Sequence, residues 1–253
     1  MRIVDMATVA LLFAVAVVAG CVDTIAGGGG LITLPALLMT GMPPAMALAT
    51  SKLQATGGSV TATLFFLRRQ AIQLTAHRWA IATTFLGATL GGWLVLTLDA
   101  SLLARLIPFL LMALGTYFAL SPQVGQMDQQ QRLGSTPFAL TIAPLIGFYD
   151  GFFGPGTGMF MALAFVGLRG YNLTKATAHT KLLNATSNVA ALLYFMVFGQ
   201  IDWRAGLAMF VGQLLGALLG GRLVLKHGPW LIRPMITGVC FVLALRLLLA
   251  PPP

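Results

Sequence analysis

The sequence predicts an all-α membrane protein: a polytopic helix bundle of two inverted repeats, each with about four full spans plus one short half-helix after a glycine-rich break. Three observations carry this expectation. The 253 residues are 58% hydrophobic and 8% charged, with aspartate as the only acidic residue type, whereas an ordinary soluble domain is roughly one-quarter charged. Apolar runs recur at 3–22, 45–67, 79–98, 102–120, 135–153, 176–198, 204–225 and 231–250, each near the ~20 residues that cross a ~30 Å hydrocarbon core as helix. The third observation is that the second half of the chain repeats the first.

In chain order, the run 3–22 leads into Asp23-Thr24-Ile25-Ala26-Gly27-Gly28-Gly29-Gly30. The preceding Val18-Ala19-Gly20-Cys21 has the look of a lipoprotein cleavage signal, but Gly147-Phe148-Tyr149-Asp150 holds the matching place in mid-chain, where no signal stands. The first run is therefore expected to be a retained part of the fold. The apolar stretch 31–39 behind the glycines reaches only about 15 Å as helix, half a bilayer. The run 45–67 carries Ala49-Thr50-Ser51-Lys52-Leu53-Gln54, and 79–98 and 102–120 complete a first repeat over residues 1–120. A Gln-rich polar linker, 121–134, separates it from the second repeat, 135–253. There 135–153 runs into Asp150-Gly151-Phe152-Phe153-Gly154-Pro155-Gly156-Thr157-Gly158, a second short stretch follows at 159–168, and 176–198 carries Ala178-His179-Thr180-Lys181-Leu182-Leu183-Asn184. The runs 204–225 and 231–250 close the chain.

The duplication is explicit when the sequence is slid along itself. Asp23 meets Asp150 at a shift of 127, and after a two-residue adjustment Lys52 meets Lys181 at 129. The same shift lays Leu86-Gly87-Ala88-Thr89-Leu90-Gly91-Gly92-Trp93-Leu94-Val95-Leu96 on residues 215–225 with nine of eleven identical. If each short stretch completes a crossing, every repeat crosses five times and the second is upside down. Nine arginines and lysines, including Arg68, Arg69 and Arg78, then lie on one side against four on the other. Re-entrant short segments give seven against six, no bias at all. The rule that basic loops stay in the cytoplasm favours inverted repeats with both termini outside, and it accounts for the net charge of +9 without nucleic acid.

Lys52 and Lys181 stand inside apolar runs, where a charge is costly unless it meets water, a partner or a ligand. A purely structural reading pairs Lys52 with Asp23 and Lys181 with Asp150, tying the bundle together. A functional reading has the lysines balance a substrate anion while Asp23 and Asp150 serve as ion-pair partners or carry coupling protons. Both hold if the anion displaces the acid. Gly28, Gly29 and Gly30, with Gly156, Thr157 and Gly158 in the second half, let the backbone approach a ligand, and a half-helix starting at mid-membrane aims unpaired N–H groups and its positive dipole end at an anion. Tight helix packing is the alternative use of such glycines. Thr50, Ser51 and Gln54 extend the candidate substrate site around Lys52, as His179 and Asn184 do around Lys181. Thr177, Lys181 and Asn184 form one helical stripe continuing to Asn188. His179 reads either as a proton relay or as a histidine bonded to a neighbouring helix. The ladders Gly87-x3-Gly91-Gly92 and Gly216-x3-Gly220-Gly221 read as close helix contacts with no substrate role, and Asp99, Asp128 and Asp202 as loop acids without special function.

Other classes find little support. Cys21 and Cys240 make no disulfide framework, no metal motif occurs, and no cofactor is expected. A Gly-x-Ser-x-Gly turn and a His-Glu-x-x-His motif are both missing, so an intramembrane enzyme is not expected. With the motifs around Asp23, Lys52, Asp150 and Lys181 in view, together with Leu34-Pro35 and Lys175-Ala176-Thr177, the chain resembles the TauE/SafE family of membrane transporters over nearly its whole length. The resemblance implies a multi-pass protein of the bacterial inner membrane whose relatives are linked to moving sulfite, sulfoacetate or other organosulfonates. The expected function is secondary-type transport of small anions by alternating access, with the lipid bilayer and the anion as partners. A cation or proton-coupled carrier of another solute and a passive channel are the alternatives, the cation being disfavoured because both lysines would repel it.

Overall fold

A computed structural model describes residues 6–72, 74–97 and 127–249, together with 112, 116 and 120. Among the described residues the regular structure is helical, without strands. Helix α1 (Met6–Ala26) ends where Gly27 turns to a φ of 79°, a left-handed conformation that suits glycine. The chain restarts after three residues as α2 (Gly30–Met39), then runs through α3 (Pro44–Arg68), whose first residue is a proline, and a 3-10 turn (Thr75–His77) into α4 (Arg78–Val95). The second half follows the same plan. Helix α5 (Ser135–Phe152) breaks where Gly154 and Gly156 take φ of 93° and 86°, and α6 (Thr157–Arg169) begins directly behind the break. Helices α7 (Leu173–Phe198), α8 (Trp203–His227) and α9 (Pro229–Leu249) complete the chain. The expected span at 102–120 falls largely outside the described residues.

By length and hydropathy α1, α7 and α8 qualify as membrane-crossing helices, and α2 and α6 are the short apolar helices expected behind the two breaks. Large apolar side chains such as Leu86, Leu90 and Trp93 on α4 and Leu207, Val211, Leu215 and Leu219 on α8 are exposed. Apolar surface of that extent would aggregate in water and suits lipid.

The halves are interlocked. Helix α4 packs along α5, and α8 along α1, so each half gives its fourth helix to the first helix of the other. Two further reciprocal contacts, α3 with α8 and α4 with α7, surround a central α3–α7 contact. The glycine ladders make the close approach: a side chain at Gly87 or Gly91 would strike the backbone of Pro144 or Phe148, and one at Gly216 or Gly220 the backbone of Val17 or Cys21.

Two of the loop acids have structural work after all. Asp202 caps α8, accepting from the Arg204 and Ala205 N–H groups at 3.0 Å each. Asp128 latches the linker to the α6–α7 corner, accepting from the Asn172 N–H at 2.7 Å and from Lys175 Nζ at 3.3 Å. The Asn172 bond and the neighbouring lysine hold its carboxyl below the usual range. Asp99 lies outside the described residues.

Candidate functional site

The interlocking brings both glycine breaks to one place. A side chain on Gly27 would collide with the backbone of Gly158, and one on Gly30 would stand 3.5 Å from Pro155 Cα. Between the breaks lies a cavity of about 30 Å³, room for little more than a water molecule.

Lys52 lines this cavity and Lys181 stands behind Asp23, and the pairing differs from the one within each half. Lys52 on α3 binds Asp150 on α5, with Nζ 3.0 Å from Oδ1, and Lys181 on α7 binds Asp23 on α1, with Nζ 2.8 Å from Oδ2. Each lysine takes its acid from the other half. The physical reason is the packing of α3 and α7 against the opposite half, which outweighs nearness in sequence. Each lysine also donates to the backbone carbonyl of its aspartate. Those carbonyls belong to the last turns of α1 and α5, the negative ends of the helix dipoles, so each lysine also neutralises the end of a broken helix.

Further bonds set the carboxylates. Asp150 Oδ1 stands 2.8 Å from the Thr157 hydroxyl, whose one hydrogen it shares with the Gly154 carbonyl at 2.6 Å, and Asp23 Oδ1 accepts from the Gly29 N–H at 3.1 Å. The Gly30 and Gly158 N–H groups, by contrast, make no hydrogen bond within the described residues.

Of the residues expected at the site, Gly29, Gly30, Ser51, Lys52, Gln54, Gly156, Thr157, Gly158, Asn184, Asp23 and Asp150 line the cavity. Lys181 reaches it through Asp23. Gly28, Thr50 and His179 do not line it: Thr50 accepts from the Asp202 N–H at 3.0 Å, and the His179 ring meets the Lys175 carbonyl at 2.8 Å. His179 stands among His77, Tyr171 and Phe165, with ring centres 4.8, 4.9 and 5.8 Å away. At 3.6 residues per turn, position 179 points about 200° from position 181. His77, in the turn before α4, is held well below the ordinary histidine value, to about 4, by burial and by the nearby His179 and Arg169.

The cavity also includes Gln213 of α8 and Asn188. Gln213, which the sequence reading did not single out, is visible there only as one amide in a glycine-rich apolar run. The two-fold repeat pairs it with Thr84, which donates to the Ala143 carbonyl at 3.4 Å.

The family described as "Sulfite exporter TauE/SafE" matches residues 12–247. The chain is 53% identical over 238 residues to "Probable membrane transporter protein YfcA" of Escherichia coli (strain K12), covering 94% of this chain and 88% of that protein. It is 50% identical over 238 residues to a "Probable membrane transporter protein" of Haemophilus influenzae, covering 94% and 93%. A third relative, "Probable membrane transporter protein ORF9" of Sinorhizobium sp, is 47% identical over 242 residues, covering 96% and 93%. No solved structure matches.

Proposed function

The chain belongs to the family described as sulfite exporter TauE/SafE and is a membrane transporter; on that premise we propose that it carries small anions, of the sulfite or organosulfonate kind, across a bacterial inner membrane by alternating access between two inverted repeats. The observation that carries this reading is the exchange of acids: two buried lysines, each held by the other half's aspartate, around one small cavity bounded by both glycine breaks.

A cavity of about 30 Å³ is far below the roughly 300–1,000 Å³ of ligand pockets, so substrate enters only when the halves part. Parting strains both ion pairs. A buried lysine stripped of its partner costs roughly 3–5 kcal/mol, a cost that an arriving anion offsets by taking the carboxylate's place. The displaced aspartate, now without its cation, takes up a proton. Anion movement is thereby coupled to protons, and no lysine is ever left bare. The unpaired amides of Gly30 and Gly158, at the positive ends of α2 and α6, add donors for the anion's oxygens. The inverted orientation rests on the asymmetry of the basic loops and agrees with the reciprocal packing of α1 with α8 and α4 with α5.

Purified protein in liposomes provides the test. Lys52→Ala and Lys181→Ala are expected to abolish uptake of sulfite or organosulfonate, and a variant that moves these anions as fast as the parent overturns the assignment. Flux in the parent that ignores an imposed proton gradient identifies a passive pore instead.

A further inference from the structure

The cavity wall holds acceptors as well as donors, and the acceptors are the unexpected part. Gln54 is fully buried, and its side-chain nitrogen donates to Thr33 Oγ1 at 2.9 Å. That hydroxyl in turn donates to the Gly29 carbonyl at 3.2 Å. In this arrangement the Gln54 amide faces Thr33 nitrogen first. This leaves Gln54 Oε1 buried with no hydrogen-bond donor. On the other side of the site Lys52 and the Thr157 hydroxyl both meet Asp150 Oδ1, and Asp150 Oδ2 is likewise buried without a donor. Gln54 and Asp150 line the same cavity. The one other buried side-chain atom in this condition among the described residues, Thr180 Oγ1, belongs to a residue that does not line it.

Buried acceptors left without donors are rare because each forfeits its bond to water. A water fits the closed cavity and can serve them; a ligand that takes its place must bring a hydrogen of its own. We infer that the transported species is a small anion bearing its own hydroxyl group, whose charged end meets Lys52 and the amides of Gly30 and Gly158 while its hydroxyl donates its one hydrogen to Gln54 Oε1. The inference rests on the anion reading and narrows it to a substrate class. A plain sulfonate or carboxylate satisfies the donors and leaves Gln54 Oε1 bare.

Matched ligand pairs separate the two statements. The melting temperature of the full-length protein in detergent is followed against ethanesulfonate and 2-hydroxyethanesulfonate, and against acetate and hydroxyacetate, since a ligand of the folded state raises it. The hydroxylated member of each pair is expected to act at about tenfold lower concentration or better, as sites built to bond a hydroxyl discriminate against its loss. In Gln54→Met that preference, read as the ratio of effective concentrations within each pair, is expected to shrink. Equal potency within both pairs overturns the inference and leaves the anion reading standing, and so does a preference undiminished in Gln54→Met. A parent stabilised by none of the four anions overturns both. Should Gln54→Met fail to fold, the matched pairs on the parent still decide.

Discussion

The two ion pairs descend from one motif yet are set differently. Lys52 and Asp150 are sealed, with side chains 4% and 3% exposed, and one carboxylate oxygen has no donor. Lys181 and Asp23 are 1% and 17% exposed, and both oxygens of Asp23 are engaged, one by Lys181 and one by the Gly29 N–H. Duplication supplied the same residues twice, and local bonding made one acid fully satisfied and partly wet, the other dry and under-satisfied. The second is better placed to change its bonding during a cycle.

Removing a lysine from each pair tests this contrast most strongly. Lys52→Met is expected to cost roughly 3–5 kcal/mol, because it leaves a dry carboxylate unpaired, and Lys181→Met distinctly less, because Asp23 retains the Gly29 N–H and access to water. Chemical denaturation in detergent measures both, and equal losses would erase the distinction. Adding Asp150→Asn to Lys52→Met should recover most of the loss. A smaller effect is expected at Thr157, whose hydroxyl has no side-chain counterpart at Gly29: Thr157→Val should cost about 1 kcal/mol in the same assay and slow anion flux. The last expectation concerns pH and the histidine pair beside α4. His77 falls from an ordinary 6.5 to about 4 in the folded protein, so the unfolded chain binds its proton first as pH drops. Stability that is complete above 6.5 is therefore lost progressively towards about 4, and His77→Phe should flatten that acid limb in melting-temperature scans.

Much of this molecule could be read from the chain. The glycine breaks, the two short helices and the ladder contacts follow from local chemistry: consecutive glycines end a helix, and glycines four apart let two helices touch. The identity of each lysine's partner does not. Asp23 lies 29 positions from Lys52 and Asp150 lies 98 away, and only the packing of α3 against the opposite half selects the distant one. His179 is near Lys181 in sequence but not at the site, because two steps along a helix reverse the direction of a side chain. Gln213 gave no signal because a single amide on an apolar helix is as often a packing polar group as a wall of a cavity.

The traded acids also bear on ancestry. A half-length chain would carry one lysine and one aspartate into lipid, and the packing that joins them exists only between halves. Such a chain would find charge balance by meeting a second copy, each lending the other its acid. A gene fusion would make that loan permanent, after which neither half can lose its aspartate without stranding a lysine in the other, and the two are inherited as one unit.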